Sequence, residues 1–294
     1  MIAVVGATGL IGAAAARHLG QRTKVVTIGR SAKSDIVADL ADPASIAKIE
    51  LDGCEAMVHC AGVVDEDFAD PGRAFRQATL GMAALVKRAK ELSIPRFAYI
   101  STAHVYGPLV GRLTEASPPN PLHDYAIAHY ASEQTLRRAT GPAFRAAAFR
   151  PCAVFGMPED LSTFRRWGLI PFGFPRDVVR NHKIVLGTSG RQLRNFVGTE
   201  DIARAIATWL DDASAAPFTA INPVGKANLS VYDFARLCCA IGETVTGAPC
   251  TVTRNEADTS VVPDLDYATL DPRFVGSADL AAAVEAITAR LHAG

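Results

Sequence analysis

This chain has no charge bias, few cysteines and no long hydrophobic run, and each shortage removes a class of protein. Thirty basic residues are matched by thirty acidic ones, so nothing draws the chain to nucleic acid or an anionic membrane. Six cysteines, at 54, 60, 152, 238, 239 and 250, form neither a C-x-x-C pair nor a Cys/His metal spacing, and no metal site is expected. Adjacent Cys238 and Cys239 on a predicted helix are read as core thiols rather than as part of a disulfide framework, which suits a reducing compartment. No apolar run reaches the length of a membrane span. The N-terminus runs straight into a predicted strand, leaving no room for a signal peptide. A cytoplasmic protein is the expectation. Internal repeats and low-complexity segments are missing too. What remains is 49% apolar and 20% charged over 294 residues, enough for one large domain or two closely joined ones.

The most informative stretch is the first twelve residues. Ile2 to Val5 is a short apolar run of the kind a strand buried on both faces needs. Gly6, Gly9 and Gly12 follow, and small residues from Ala13 open a helix to about Gln21. Gly6 permits a tight turn, Gly9 lets backbone approach a pyrophosphate, and Gly12 lets the helix pack closely on the strand. The free N–H groups at the helix start then face the phosphates, with Thr8, Leu10 and Ile11 around them. With a second strand at Lys24 to Ile28, the unit reads as a dinucleotide-binding βαβ.

Strand two ends in Gly29, Arg30 and Ser31, where an acidic residue would favour NAD; a small residue, a cation and a hydroxyl suit a 2′-phosphate and favour NADP over NAD. Asp39 and Leu40 fall beside the adenine, and Cys60, Ala61 and Gly62 end a further buried strand with small residues that admit a cofactor. A long helix is predicted from Pro71 to Leu92, with strands at Arg96 to Ser101 and Phe144 to Arg150. Alternating strands and helices predict an α/β, Rossmann-type, doubly wound parallel sheet. Pro151 to Gly190 is rich in proline and glycine and reads as loop covering a ligand. Thr199 to Asp201, Ser230 and Ser277 each read as the cap of a helix. The predicted division is residues 1–155 with 190–222 returning as the dinucleotide domain, and 156–189 with 223–294 as a smaller substrate-binding lobe.

The ordered set Gly6-Ala-Thr-Gly-Leu-Ile-Gly12, Asp39-Leu40, Ser101-Thr-Ala-His-Val-Tyr-Gly107, Thr114-Glu115, Tyr125 to Glu133, Arg150-Pro151, Arg194 to Asp201 and Leu270-Asp271-Pro272 resembles the extended short-chain dehydrogenase/reductases. Within them it resembles the NAD(P)-dependent epimerase/dehydratase group, which acts mostly on nucleotide sugars. The resemblance implies that Thr102 hydrogen-bonds the reacting sugar oxygen and that Tyr125 is general acid/base on it. It also implies a lysine four residues after the tyrosine, on the same helix face, holding the nicotinamide ribose and favouring the phenolate. His129 stands there instead, and is taken as the third catalytic and cofactor-binding residue. Ala103 and His104 replace the Asp-Glu pair of the 4,6-dehydratases, and Ala78 replaces a usual asparagine. His104 is a candidate accessory group at the substrate. Arg194, with Arg191 nearby, matches an arginine that binds the substrate diphosphate. Arg165, Arg166 and Trp167 in the covering segment are placed to meet phosphate and base.

The implied function is a nucleotide-sugar epimerase or ketoreductase working by hydride transfer. Two alternatives stand beside it: a dinucleotide-binding or regulatory protein without turnover, and a reductase of a non-sugar carbonyl compound. A homodimer is the partner expected besides the substrate.

Overall fold

A computed structural model describes residues 1–260 and 263–294. Strand β1 (Ile2–Val5) is buried at every position, turns at Gly6 and leads into α1 (Leu10–Gly20), β2 (Val25–Gly29) and the short β3 (Ile36–Val37). Helix α2 (Pro43–Ile46) opens on the Asp42 carboxylate, which accepts from Ala44 N–H, with proline in the first turn. Strand β4 (Ala56–His59) follows. The predicted long helix comes in three continuous parts: α3 (Pro71–Arg76), a π turn over Gln77–Gly81, and α4 (Met82–Glu91). Next are β5 (Arg96–Ile100), β6 (Gly111–Leu113), α5 (Asp124–Ala139), β7 (Arg145–Phe149) and β8 (Ala153–Phe155). Then come α6 (Ile170–Asn181), β9 (Lys183–Leu186), β10 (Leu193–Gly198), α7 (Thr199–Asp211) and β11 (Phe218–Ile221). The chain closes with β12 (Ala227–Ser230), α8 (Val231–Thr246), β13 (Thr251–Arg254), β14 (Leu265–Tyr267) and α9 (Leu280–His292).

The central sheet has seven strands in the order β11-β7-β5-β4-β1-β2-β3, every pair parallel. This is the Rossmann-type doubly wound arrangement the alternation predicts. Side chains alternate across it. Ala3, Val5, Met57, Phe97 and Tyr99 pack under α4 and α5, while Ile2, Val4, Ala56, Val58, Ala98 and Ile100 pack towards α1 and α7. Strand order reverses between β1 and β4, and Val5 lies level with Ile28 and His59. The carboxyl ends there, followed by Gly6, Arg30 and Cys60, open the crevice where such sheets bind ligands.

Three strands, β12-β10-β8, and the pair β13-β9 lie outside the central sheet. With α6, α8 and α9 they enclose a second core around Phe174, Val178, Phe196 and Phe234. Strand β10 therefore belongs to this smaller unit, while β11 returns to the edge of the large sheet.

Several local expectations need correction. The Pro151–Gly190 stretch is not all loop, since it contains the twelve-residue α6. Pro171 sits in the first turn, where no N–H bond is lost, and Pro175 is buried inside the helix. Helix α7 is capped by Gly198 without a side chain, and α9 by Asp279 rather than Ser277. Ser230 does cap α8, which extends to Thr246. Cys238 is a buried free thiol, but Cys239 is joined to Cys250 as a disulfide, Cα to Cα 5.2 Å, tying α8 to the start of β13. Reading both as core thiols missed that the turn at Gly247 brings the chain back alongside its own helix.

Candidate active site

The glycine turn leaves no room for side chains at Gly6 and Gly12. Gly6 has φ +83°, a conformation an L side chain resists, and a Cβ on Gly12 would lie 2.1 Å from the Gly6 carbonyl oxygen. Gly9 caps α1 with no side-chain bond, and no acidic residue occupies the first turn. Leu10 and Ile11 are half-buried, whereas Thr8 and Gly9 are exposed. The opening N–H groups and positive helix end thus have no side-chain anion of their own. Across from them Ala61 closes on Gly6, and a Cβ on Gly62 would meet His129 at 2.8 Å. Cys60 is half-buried and burial pushes its thiol up to about 12, so it is uncharged.

At the end of β2 Arg30 is exposed, and the Ser31 hydroxyl accepts from Lys33 N–H at 3.1 Å. Asp39 lies beside buried Leu40, and both its oxygens accept from one Arg73 nitrogen, at 2.9 and 2.8 Å. Burial works to raise the Asp39 carboxyl. The Arg73 bond, the Ala41 N–H and the charges of Arg73 and Arg30 outweigh it and hold the group below the usual range. Sequence reading missed Arg73, which stands 34 residues from its partner with no pattern linking them. Gln77 was also missed: its amide donates to the Ala61 carbonyl at 3.0 Å, next door to the position where Ala78 replaces asparagine.

Thr102 caps the short turn after β5, buried, and its hydroxyl accepts from His104 N–H at 3.2 Å. Tyr125 is the second residue of α5, half-buried, with its ring 4.6 Å from that of His129. Burial pushes the Tyr125 phenol up; Thr102 and the charge of Arg166 pull it down, and Asp65 and Glu66 push it up again. His129 is buried and bonded on both sides. Its Nε2 lies 3.0 Å from the Val63 carbonyl and its Nδ1 2.8 Å from the Tyr99 hydroxyl. A carbonyl only accepts, so Nε2 carries the proton and Nδ1 accepts from tyrosine. Burial first, with the charges of Arg166 and His104, depresses the imidazole to about 4 against the lift from Val63. Neutral His129 therefore faces the protein interior, on the same helix as Tyr125.

On the open side His104 lies 6.2 Å from the Tyr125 ring and 5.2 Å from exposed His123, which stacks on Tyr125 at 6.1 Å. Burial, His123 and Arg194 depress His104 to about 4. Arg194 is half-buried near His104 and Cys152, with one guanidinium nitrogen donating to the Leu193 carbonyl at 2.7 Å. Arg191 is exposed just before β10 and is not drawn into this group. In the covering segment Arg165 is exposed, Trp167 packs on Phe164 and under the Arg176 guanidinium, and Arg166 reaches Asp65 and Glu66.

Beneath the site the remaining motif residues are fasteners. Arg150 and Glu133 form a fully buried ion pair, Nε to Oε1 3.0 Å and Nη2 to Oε2 2.6 Å. Glu115 accepts from Asn222 N–H, the Thr269 hydroxyl and Leu270 N–H, joining the end of β11 to the segment after β14. Asn195 exchanges two 2.9 Å bonds with Gly225, and Asp201 accepts from Ser277 and Ala278 N–H.

Comparison with known proteins agrees with this architecture. The chain is 25% identical over 231 residues, 71% of its length and 68% of the relative's, to an ADP-L-glycero-D-manno-heptose-6-epimerase of Thiobacillus denitrificans. Its fold is similar to MoeE5 in complex with UDP-glucose and NAD, with TM-score 0.79, 18% identity, and 99% and 97% of the two chains covered. It is also similar to RMD from Pseudomonas aeruginosa complexed with NADPH, with TM-score 0.78, 19% identity, and 100% and 99% covered. Residues 2–222 match the NAD dependent epimerase/dehydratase family, and the chain belongs to that family.

Proposed function

We propose that this chain moves a hydride to or from one carbon of a nucleotide sugar, as an epimerase or a ketoreductase. The observation that carries the reading is Tyr125 at the start of α5 beside Thr102 in the turn after β5. Tyr125 Oη exchanges the proton with the reacting sugar oxygen, and the Thr102 hydroxyl holds that oxygen in place. A bound nicotinamide dinucleotide supplies or accepts the hydride. Gly6, Thr8, Gly9, Leu10, Ile11 and Gly12 would hold its pyrophosphate, Asp39 and Leu40 its adenine, and Cys60, Ala61 and Gly62 the passage towards the nicotinamide. Arg30 and Ser31, with no acidic residue at the end of β2, support NADP over NAD. The central sheet with α1, α4, α5 and α7 forms the dinucleotide part, and the lobe around α6, α8 and α9 closes over the sugar nucleotide.

Arg194 is the proposed diphosphate contact, able to leave the Leu193 carbonyl for a charged acceptor, and His104 lines the sugar side. Calorimetry with a nucleoside diphosphate tests this. Arg194→Ala should lose on the order of 2 kcal/mol, roughly thirtyfold in affinity. Unchanged affinity would point instead to a carbonyl substrate without a diphosphate. A dinucleotide-binding protein without turnover is the second reading, and neutral, doubly bonded His129 is the observation that favours it.

A further inference from the structure

A tyrosine working as acid/base near neutral pH needs a fixed positive charge close by, and the helix position that would carry one holds neutral His129. Several groups face Tyr125 in its place. From its own helix come His129 at 4.6 Å and, just before the helix, His123 at 6.1 Å; from the turn after β5 come Thr102 and His104 at 6.2 Å. Tyr99 lies behind His129. Beyond the end of β4, Asp65 and Glu66 begin a short 3-10 turn two residues after Val63, the carbonyl partner of His129. Those two carboxylates hold Arg166 from the covering segment, Nη2 to Asp65 at 3.7 Å and Nε to Glu66 at 3.3 Å. The Arg166 guanidinium is thus anchored at the same end of α5 as Tyr125 and His129.

Resting on the reading of Tyr125 as acid/base, we propose that Arg166 is the positioning residue that supplies the missing cation and favours ionised Tyr125. Its side chain is 24% exposed, whereas those of Asp65 and Glu66 are 62% and 50% exposed. Water screens the carboxylates more than the guanidinium, so their opposition is only partial. Burial raises the Tyr125 phenol, the Arg166 charge works against that rise while Asp65 and Glu66 add to it, and the Arg166 charge also disfavours a protonated His129. Histidine at 129 and arginine at 166 then form one solution: burial keeps the histidine neutral, and the cation on the opposite element adds to that. The charge is carried by the segment between β8 and α6.

The test is the ionisation of Tyr125 in the free protein, read as the ultraviolet difference titration of each variant against the same variant carrying Tyr125→Phe. The pH profile of kcat is read in parallel on the cofactor-loaded enzyme. Arg166→Gln should move the Tyr125 ionisation up by about one pH unit and lower neutral-pH turnover about tenfold. Arg166→Lys should keep most of the effect, and adding His129→Lys to Arg166→Gln should restore it. In an Asp65→Asn/Glu66→Gln background the upward shift on Arg166→Gln must persist, which separates loss of the cation from unmasking of the carboxylates. A Tyr125 ionisation unmoved by folded Arg166→Gln, or moved only while both carboxylates are present, overturns the proposal. Should no nucleotide sugar turn over in the unaltered protein, the functional reading fails, while the titration still decides the role of Arg166.

Discussion

His129 and His59 are held uncharged by the protein around them. Burial sets His59 at about 3, with the neighbouring charge of His129 adding to it, and its Nδ1 has no hydrogen-bond partner among the described residues. His129 lies at about 4 for the reasons of burial and charge already given. Both values are below the 6.5 of a free imidazole. Between the two limits the unfolded chain binds a proton that the folded one refuses, so stability is complete above about pH 6.5 and declines as pH falls. Each histidine should remove roughly 2 kcal/mol by about pH 5. Denaturant unfolding at neutral and mildly acid pH checks this, and a stability that is level or rising on acidification would contradict it. The same contacts explain what could not be read from the residue string. The Y-x-x-x-H spacing marked His129, but its bonds to Val63 and Tyr99 join residues 66 and 30 positions away. Arg73 on Asp39 and Arg166 on Glu66 are likewise tertiary pairings without local pattern.

At the scale of the elements, legibility followed burial. Strands β1, β4 and the central positions of β5 and β7 are covered on both faces, so their apolar runs were plain. Helix α6 was hidden because Pro171, Gly173 and Pro175 look like loop, yet all three are buried against the lobe core. The start of α1 is the element with least tolerance. A methyl on Gly12 must displace the Gly6 carbonyl, whereas one on Gly141 meets nothing within 4 Å. Gly12→Ala should cost about 1–3 kcal/mol of stability and weaken dinucleotide binding at least tenfold, with Gly141→Ala as the neutral control. Thermal melts with and without cofactor distinguish the two effects. Equal behaviour of both variants would mean that the strand and helix can separate without consequence.

As a whole, the molecule is a seven-stranded parallel sheet with a smaller lobe fastened across its carboxyl edge. Glu115 and Asn222 fasten it at one point, Asn195 and Gly225 at another, Asp201 with Ser277 and Ala278 at a third. The sheet was legible from alternating strands and helices, and the family from the resemblance of the ordered motifs; a smaller lobe was expected, but its short strands and proline-bearing helix were not, since they gain their stability from packing on one another. Within the resulting crevice the account makes Tyr125 the proton carrier for hydride transfer on a nucleotide sugar. The most direct measurement is rapid mixing of the NADP- or NAD-loaded protein with a panel of nucleotide sugars and their keto forms, following reduced-nicotinamide absorbance. The account predicts a change in that signal with at least one nucleotide sugar, abolished in Tyr125→Phe and retained in His129→Lys. A Tyr125→Phe protein that oxidises or reduces the sugar at the unaltered rate would contradict it.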